Sequence, residues 1–308
     1  MAAPGDVRDT LKAIGVDFGL ILPSYRAGAS VESIEAASAT IARLGWHSAF
    51  STDHFLVGTS AREEDYFHIF DALATVVHVA ARQPSLRIGV SVLVVPMRNA
   101  VELAKELATI DVLSGGRLIV GIGGGWDEAE FGHLGLAQRF RQRGAYMNEA
   151  IAIWRHLWSG GQGPFHGRFH SFEEVRFGPL PVQGAELPVW VGGREEAALR
   201  RAGALGNGYH SSATGPDHYA PRVPIVRAAA ADAGRPAPLF SARFRVAFGE
   251  HKVPYFMLSG TPPQMIATLR EFAALGVSHV AVDFAETDPD KVARLIERFD
   301  AEVRAALV

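Results

Sequence analysis

The sequence predicts an α/β fold, a closed (β/α)8 barrel, and three observations predict it. Short apolar runs of strand length alternate eight times with stretches whose apolar residues recur at helical spacing. No linker and no shift in composition divides the 308-residue chain, so residues 1–308 read as one domain. The length suits such a barrel, which takes roughly 250 residues before insertions. A doubly wound open sheet is the alternative, but it would need long crossovers at its switch point, and none is visible.

The first strand reads as Ile14 to Leu22, stopped by Pro23. Ser30 can cap a helix with Ile34, Ala37, Ile41 and Leu44 on one face, ending at Gly45. His47 to Phe55 is the second strand, followed by a helix from about Phe70 to Ala81. Leu86 to Val95 is the third strand, and Asn99 caps a helix bearing Leu103, Leu107, Ile110 and Leu113. Leu118 to Ile122 is an apolar run between glycines, as expected of a parallel strand covered on both faces. After Trp126 the pattern loosens until a long helix, Phe140 to Trp158, with Met147, Ile151, Trp154 and Trp158 inward. The segment from about 159 to 187, rich in glycine and proline, reads as an excursion outside the eight units.

Order returns with the strand Pro188 to Gly193 and a helix from Arg194 to about Ala204. Gly208 to Ser212 is a short strand, followed by a helix through Val223 to Ala233. Phe240 to Phe248 is the next strand, and the stretch from Gly249 to Gly260 reads as loop. Thr261-Pro262-Pro263 opens a helix with proline where a missing N–H costs least. Val277 to Phe284 is the last strand, and Val292, Leu295, Ile296, Phe299 and Val303 mark the last helix.

Composition excludes several classes. Thirty basic against 33 acidic residues, a net charge of −3, leave no footprint for nucleic acid. Without cysteine there are no disulfides, thiolate nucleophiles or Cys-based zinc sites. Met1 to Asp6 lacks the regions of a signal peptide, and no apolar run is long enough to span a bilayer, so a cytoplasmic protein is expected. Only His166 and His170 have His-x-x-x-His spacing, and they sit in the excursion rather than at a barrel strand end, so no metal site is expected.

Barrel active sites form where strands end, and polar and glycine-rich groups collect there. Asp53-His54-Phe55 closes the second strand, and alternation puts Asp53 and His54 on opposite sides. A histidine there can exchange a proton near neutrality, or it can simply fix a loop. Gly121-Ile122-Gly123-Gly124-Gly125-Trp126 allows a sharp turn and close approach to a ligand, or only relieves crowding. It is not the dinucleotide fingerprint, whose third glycine would fall at Trp126. Gly192-Gly193-Arg194 leads a strand into a helix start, which suits a phosphate or a plain tight turn.

Taken in order, these motifs resemble the bacterial luciferase-like flavin and deazaflavin oxidoreductases over nearly the whole chain. The matches are Ser51-Thr52-Asp53-His54-Phe55, Arg98-Asn99-Ala100 with Ala104-Lys105-Glu106, Ser114-Gly115-Gly116-Arg117 leading into the glycine turn, and Pro188-Val189-Trp190-Val191-Gly192-Gly193. The resemblance implies a barrel that binds coenzyme F420 or FMN at its C-terminal mouth, with the second-strand motif closest to the F420 branch. It implies a ring against Ser91-Val92, joined by a cis peptide, with Asp53 beside it and Gly192, Gly193 and Arg194 on the cofactor phosphate. Gly123, Gly124, Gly125 and Trp126 would line the cofactor or substrate, and His54 would stand near the reacting carbon. The implied activity is hydride transfer between F420 and an organic substrate. The alternatives are an FMN monooxygenase served by a separate reductase and a non-catalytic flavin-binding barrel. A homodimer is also implied.

Two departures stand out. Sugar-phosphate dehydrogenases of the F420 branch carry a glutamate in the glycine turn where this chain has Trp126, which argues against that chemistry. The Ala-Asp-Gly-Trp segment common in the sixth unit of the family appears as Leu205-Gly206-Asn207-Gly208-Tyr209, with an amide in place of a carboxylate.

Overall fold

Eight parallel strands close on themselves in the computed structural model, which describes residues 15–58 and 63–307. In chain order the strands are β1 (Asp17–Ile21), β2 (Ser48–Ser51), β3 (Arg87–Val94), β4 (Leu118–Gly123), β5 (Phe165–His166), β6 (Ser171–Phe172), β7 (Val189–Gly192), β8 (Gly208–Ser212), β9 (Leu239–Phe248), β10 (Met257–Gly260) and β11 (Val277–Asp283). The barrel runs β1-β2-β3-β4-β7-β8-β9-β11 and returns to β1, each neighbour parallel.

The expected (β/α)8 barrel is therefore what the chain forms, with several boundaries moved. Ile14, assigned to the first strand, lies outside the described residues. The second strand ends at Ser51 rather than Phe55, so strand alternation does not govern Asp53 and His54, and both are buried. The excursion holds the antiparallel hairpin β5–β6. The expected loop before Gly260 contains β10. It pairs in parallel with Arg245–Phe248, the end of β9 that runs on past its pairing with β8.

Helix starts follow the local chemistry. Ser30 and Ser33 cap Val31–Arg43 reciprocally, Asn99 accepts from Val101 and Glu102, and Thr261 with Gln264 boxes the start of Pro262–Ala274. The long helix Ala137–Trp158 lies on Ala100–Leu113. There Trp154 donates to the carbonyl of Ala100 at 2.8 Å and Trp158 to that of Ala104 at 3.0 Å. Each indole thus buries its rings without orphaning its N–H.

Strand alternation splits the interior in two. One set of side chains, including Leu20, Ala49, Ile88, Val90, Val120, Val191 and Val282, faces the helices and joins the large outer core. The other set points inward, where Phe50, Ile119, Trp190 and Ala281 pack together. A polar chain threads the same interior, starting at Ser48 and His279, two residues before Phe50 and Ala281 on their strands, and rising to Ser91. Ser48 Oγ meets His279 Nε2 at 2.9 Å, His279 Nδ1 meets Ser241 Oγ at 2.8 Å, Ser241 Oγ meets His210 Nδ1 at 2.8 Å, and His210 Nε2 meets Ser91 Oγ at 2.7 Å. This buried chain of alternating hydroxyls and imidazoles ends beneath the mouth.

Candidate active site at the barrel mouth

The residues beyond Ser51 leave the sheet because each is held by a distant partner. Asp53 accepts from both terminal nitrogens of Arg98, at 2.6 and 2.8 Å, and from the Val94 amide at 2.8 Å. Both oxygens are engaged and the residue is buried, so Asp53 clasps the ends of β2 and β3 together. Its position suits support of the site, not direct contact with a ligand. His54 turns its Nδ1 to Glu130 Oε2 at 2.8 Å, while Glu130 Oε1 accepts from the Phe55 amide at 2.5 Å.

Glu130 has no solvent exposure and no arginine or lysine pairs with it among the described residues. With Nδ1 turned to the carboxylate, Nε2 is the ring nitrogen left for other contacts. The sequence reading missed Glu130. It lies four residues past Trp126 in a six-residue helix, beside the fully buried Phe131, and an acid on that inner face was the available signal.

Rings gather around His54. Tyr66 lies 4.5 Å from it and Trp126 5.4 Å, and Tyr66 stacks on Tyr25 at 5.5 Å. Trp126 is 40% exposed beside His54. The Tyr25 hydroxyl donates to Asp283 at 2.5 Å, and burial first, then Asp283, pushes its ionisation far up, so it stays a donor. Asp65 joins Arg26 at 2.9 Å to Arg245 at 2.8 Å. Burial opposes ionisation of Asp65, but the two guanidinium bonds outweigh it and lower its pKa.

On the opposite side the peptide joining Ser91 to Val92 is cis, as the resemblance implied. Val92 lies between two of the glycines singled out in the sequence. A Cβ on Gly123 would stand 2.5 Å from Val92 Cγ2, and one on Gly192 would stand 3.2 Å from Val92 Cγ1. Only a residue without a side chain fits at Gly123, so Ser91, Val92, Gly123 and Gly192 form one shelf. Gly124 and Gly125 make the turn above it, with φ +77° at Gly125. Gly193, at φ +136°, passes so close to Ala198 that a Cβ would lie 2.5 Å from that methyl.

Arg194 reaches across to the Ser212 carbonyl at 3.0 Å, at the exposed start of helix Glu196–Leu205. Glu195 and Glu196 stand at the same helix start and weaken its pull on an anion. His210, under the shelf, is held neutral: burial first, and Arg243 second, drop its pKa to about 3. Asn207, the departure from the family segment, accepts from the Val189 amide at 3.1 Å and bonds Arg155, so it serves the scaffold. Four further histidines have ordinary partners: His68 the Ala29 carbonyl, His78 Glu35, His166 Ser171 and His170 Glu149. Among the described residues no group of three or more His, Asp or Glu is placed to hold a metal, and no helix is long and apolar enough to cross a membrane.

A family model described as luciferase-like monooxygenase matches residues 16–253. An F420-dependent glucose-6-phosphate dehydrogenase of Mycolicibacterium fortuitum is 30% identical over 198 residues, covering 63% of this chain and 57% of that relative. The chain therefore spans little more than half the length of that relative. Two solved structures share the barrel. A coenzyme F420 dependent tetrahydromethanopterin reductase from Methanopyrus kandleri has a TM-score of 0.77 at 18% identity, over 95% of this chain and 99% of that one. The oxygenating constituent of 3,6-diketocamphane monooxygenase from Pseudomonas putida, in complex with FMN, has a TM-score of 0.75 at 14% identity, over 95% and 99%. By the family match, this chain belongs to the luciferase-like monooxygenase family.

Proposed function

We propose that the protein is an F420-dependent oxidoreductase that moves a hydride between the deazaflavin and an organic substrate. The observation that carries this reading is the shelf of Val92 between Gly123 and Gly192, at a mouth that also holds the His54–Glu130 pair. The shelf is apolar, and substitution at Gly123 would fill it, so it fits the flat face of a three-ring cofactor. When bound, the deazaflavin supplies the hydride chemistry itself.

The chain's own residues do the rest. Gly192, Gly193 and Arg194 hold the cofactor phosphate, Gly124 and Gly125 carry the backbone past it, and Trp126 closes the side. Ser91 presents its carbonyl at the shelf, and Asp53 keeps the β2 and β3 ends in register through Arg98. His54 moves a proton to or from the substrate oxygen through Nε2, oriented by Glu130 at Nδ1. The relative from M. fortuitum oxidises a sugar phosphate, but Trp126 at the glycine turn argues for a different substrate here.

The mouth would also accept FMN, and the P. putida neighbour binds it, so a two-component monooxygenase fed by a separate reductase is the second reading. A barrel that binds a flavin without catalysis would show no turnover with either cofactor. We place the protein in the cytoplasm and propose a homodimer. The groove between helices Ala72–Arg82 and Ala100–Leu113, where Leu73, Val77 and the exposed Leu113 stand among Glu102, Lys105 and Glu106, is a suitable face. The role of His54 is tested by His54→Ala. The variant should bind the cofactor as before and turn over on the order of 100-fold more slowly; full turnover would refute the role.

A further inference from the structure

Along β9 the inward positions are Ser241, Arg243 and Arg245, from the middle of the barrel to its mouth. Three arginines around this column are paired with acids: Arg245 and Arg26 with Asp65, and Arg98 with Asp53. Arg243 is different. It donates to the Ser91 carbonyl, lies 3.4 Å from Ser91 Oγ and 3.2 Å from Thr52 Oγ1, and meets no carboxylate among the described residues. A half-buried guanidinium without a counter-ion is costly, and its remaining N–H donors are unspent.

Nothing beneath it supplies the missing charge. The Ser91 hydroxyl, 3.4 Å from Arg243, is hydrogen-bonded to His210 Nε2, and the chain continues through Ser241 and His279 to Ser48. Every member is neutral, since burial keeps both imidazoles uncharged. The column therefore offers a fixed positive charge, pinned by two hydroxyls and a carbonyl, at the edge of the Val92 shelf.

We infer that Arg243 is a binding residue for an anionic oxygen of the ring on that shelf. The oxygen is one over which a deazaflavin or flavin spreads its negative charge once reduced. The inference rests on the cofactor reading above. A cation already held in place meets charge where it develops without reorganising. It should favour the reduced over the oxidised cofactor and hold the reduced ring in its anionic form.

The test is anaerobic titration of the purified protein with oxidised F420 and with chemically reduced F420, for wild type, Arg243→Gln and Arg243→Lys. Wild type should bind the reduced form about tenfold tighter, the scale of one charged hydrogen bond. In a two-electron couple that corresponds to a rise of about 30 mV in the bound midpoint potential. Arg243→Gln should bind the oxidised form as wild type does and lose the preference, and Arg243→Lys should keep most of it. In wild type alone, absorbance should show the bound reduced ring staying anionic to a pH about one unit below its free value. That measurement decides the matter if Arg243→Gln does not fold. Equal affinity for both forms in wild type, or a preference that survives in Arg243→Gln, overturns the inference and leaves the cofactor reading standing. If neither form binds wild type, the cofactor reading falls and the inference with it.

Discussion

The buried chain of serines and histidines makes a quantitative prediction about acid. His210 and His279 are both fully buried, and burial is the first cause of lowered pKa at each, with Arg243 adding to it at His210 and His47 at His279. In the unfolded chain each imidazole takes up a proton near pH 6.5, whereas folded His210 does so only at about 3. Protons therefore bind the unfolded state more strongly throughout that window. The stability tied to neutral burial is whole above about pH 6.5 and falls as pH drops toward 3. The slope is about 1.4 kcal/mol per pH unit for each histidine, so going from pH 6.5 to 5 removes about 2 kcal/mol per residue.

The assay is urea unfolding of wild type and His279→Gln, followed by circular dichroism at pH 6.5 and at pH 5. At the higher pH the variant should be less stable by roughly 1–3 kcal/mol, because Ser48 and Ser241 lose a bonded partner. At pH 5 the gap should shrink by about 2 kcal/mol, since wild type alone loses the His279 contribution. Parallel stability curves for the two proteins would refute the neutral assignment of His279.

Other perturbations read other parts of the site. Asp53→Ala leaves Arg98 buried with only the half-exposed Asp71, at 3.8 Å, and should cost about 3 kcal/mol, seen as a lowered urea midpoint; a loss under about 1 kcal/mol would show that the clasp is dispensable. Gly123→Ala puts a methyl 2.5 Å from Val92, so cofactor affinity should fall, with a stability loss of about 1–3 kcal/mol. Unchanged affinity would remove the shelf from the binding site. Glu130→Gln should keep the fold and the cofactor affinity while slowing turnover by roughly 10- to 100-fold, measured as kcat at saturating cofactor.

Much of this architecture was legible because it depends on neighbours in sequence. Ser30, Asn99 and Thr261 cap helices through groups two or three residues away, and the inward stripe of the long helix follows from helical spacing. The shelf was legible in pieces: Val92, Gly123 and Gly192 were each singled out, but only β-sheet register brings them together. What was not legible depends on distant partners. The end of β2 was placed four residues late because Asp53 and His54 are pulled out of the sheet by Arg98 and Glu130, far along the chain. β10 is only four residues long and gains its identity from the overrunning end of β9.

Arg243 had a signal that went unread. Phe240, Ala242, Phe244 and Val246 alternate with Ser241, Arg243 and Arg245, and in a closed barrel wrapped by helices the polar set has only the interior to face.

The most direct test of the account is titration of the purified protein with F420, FMN and FAD, followed by cofactor fluorescence. Saturable binding of F420 in preference to both flavins is the predicted result. Tighter binding of FMN would move the chain to the monooxygenases fed by a reductase. Binding of none would contradict the central claim, that the mouth of this barrel is a deazaflavin site.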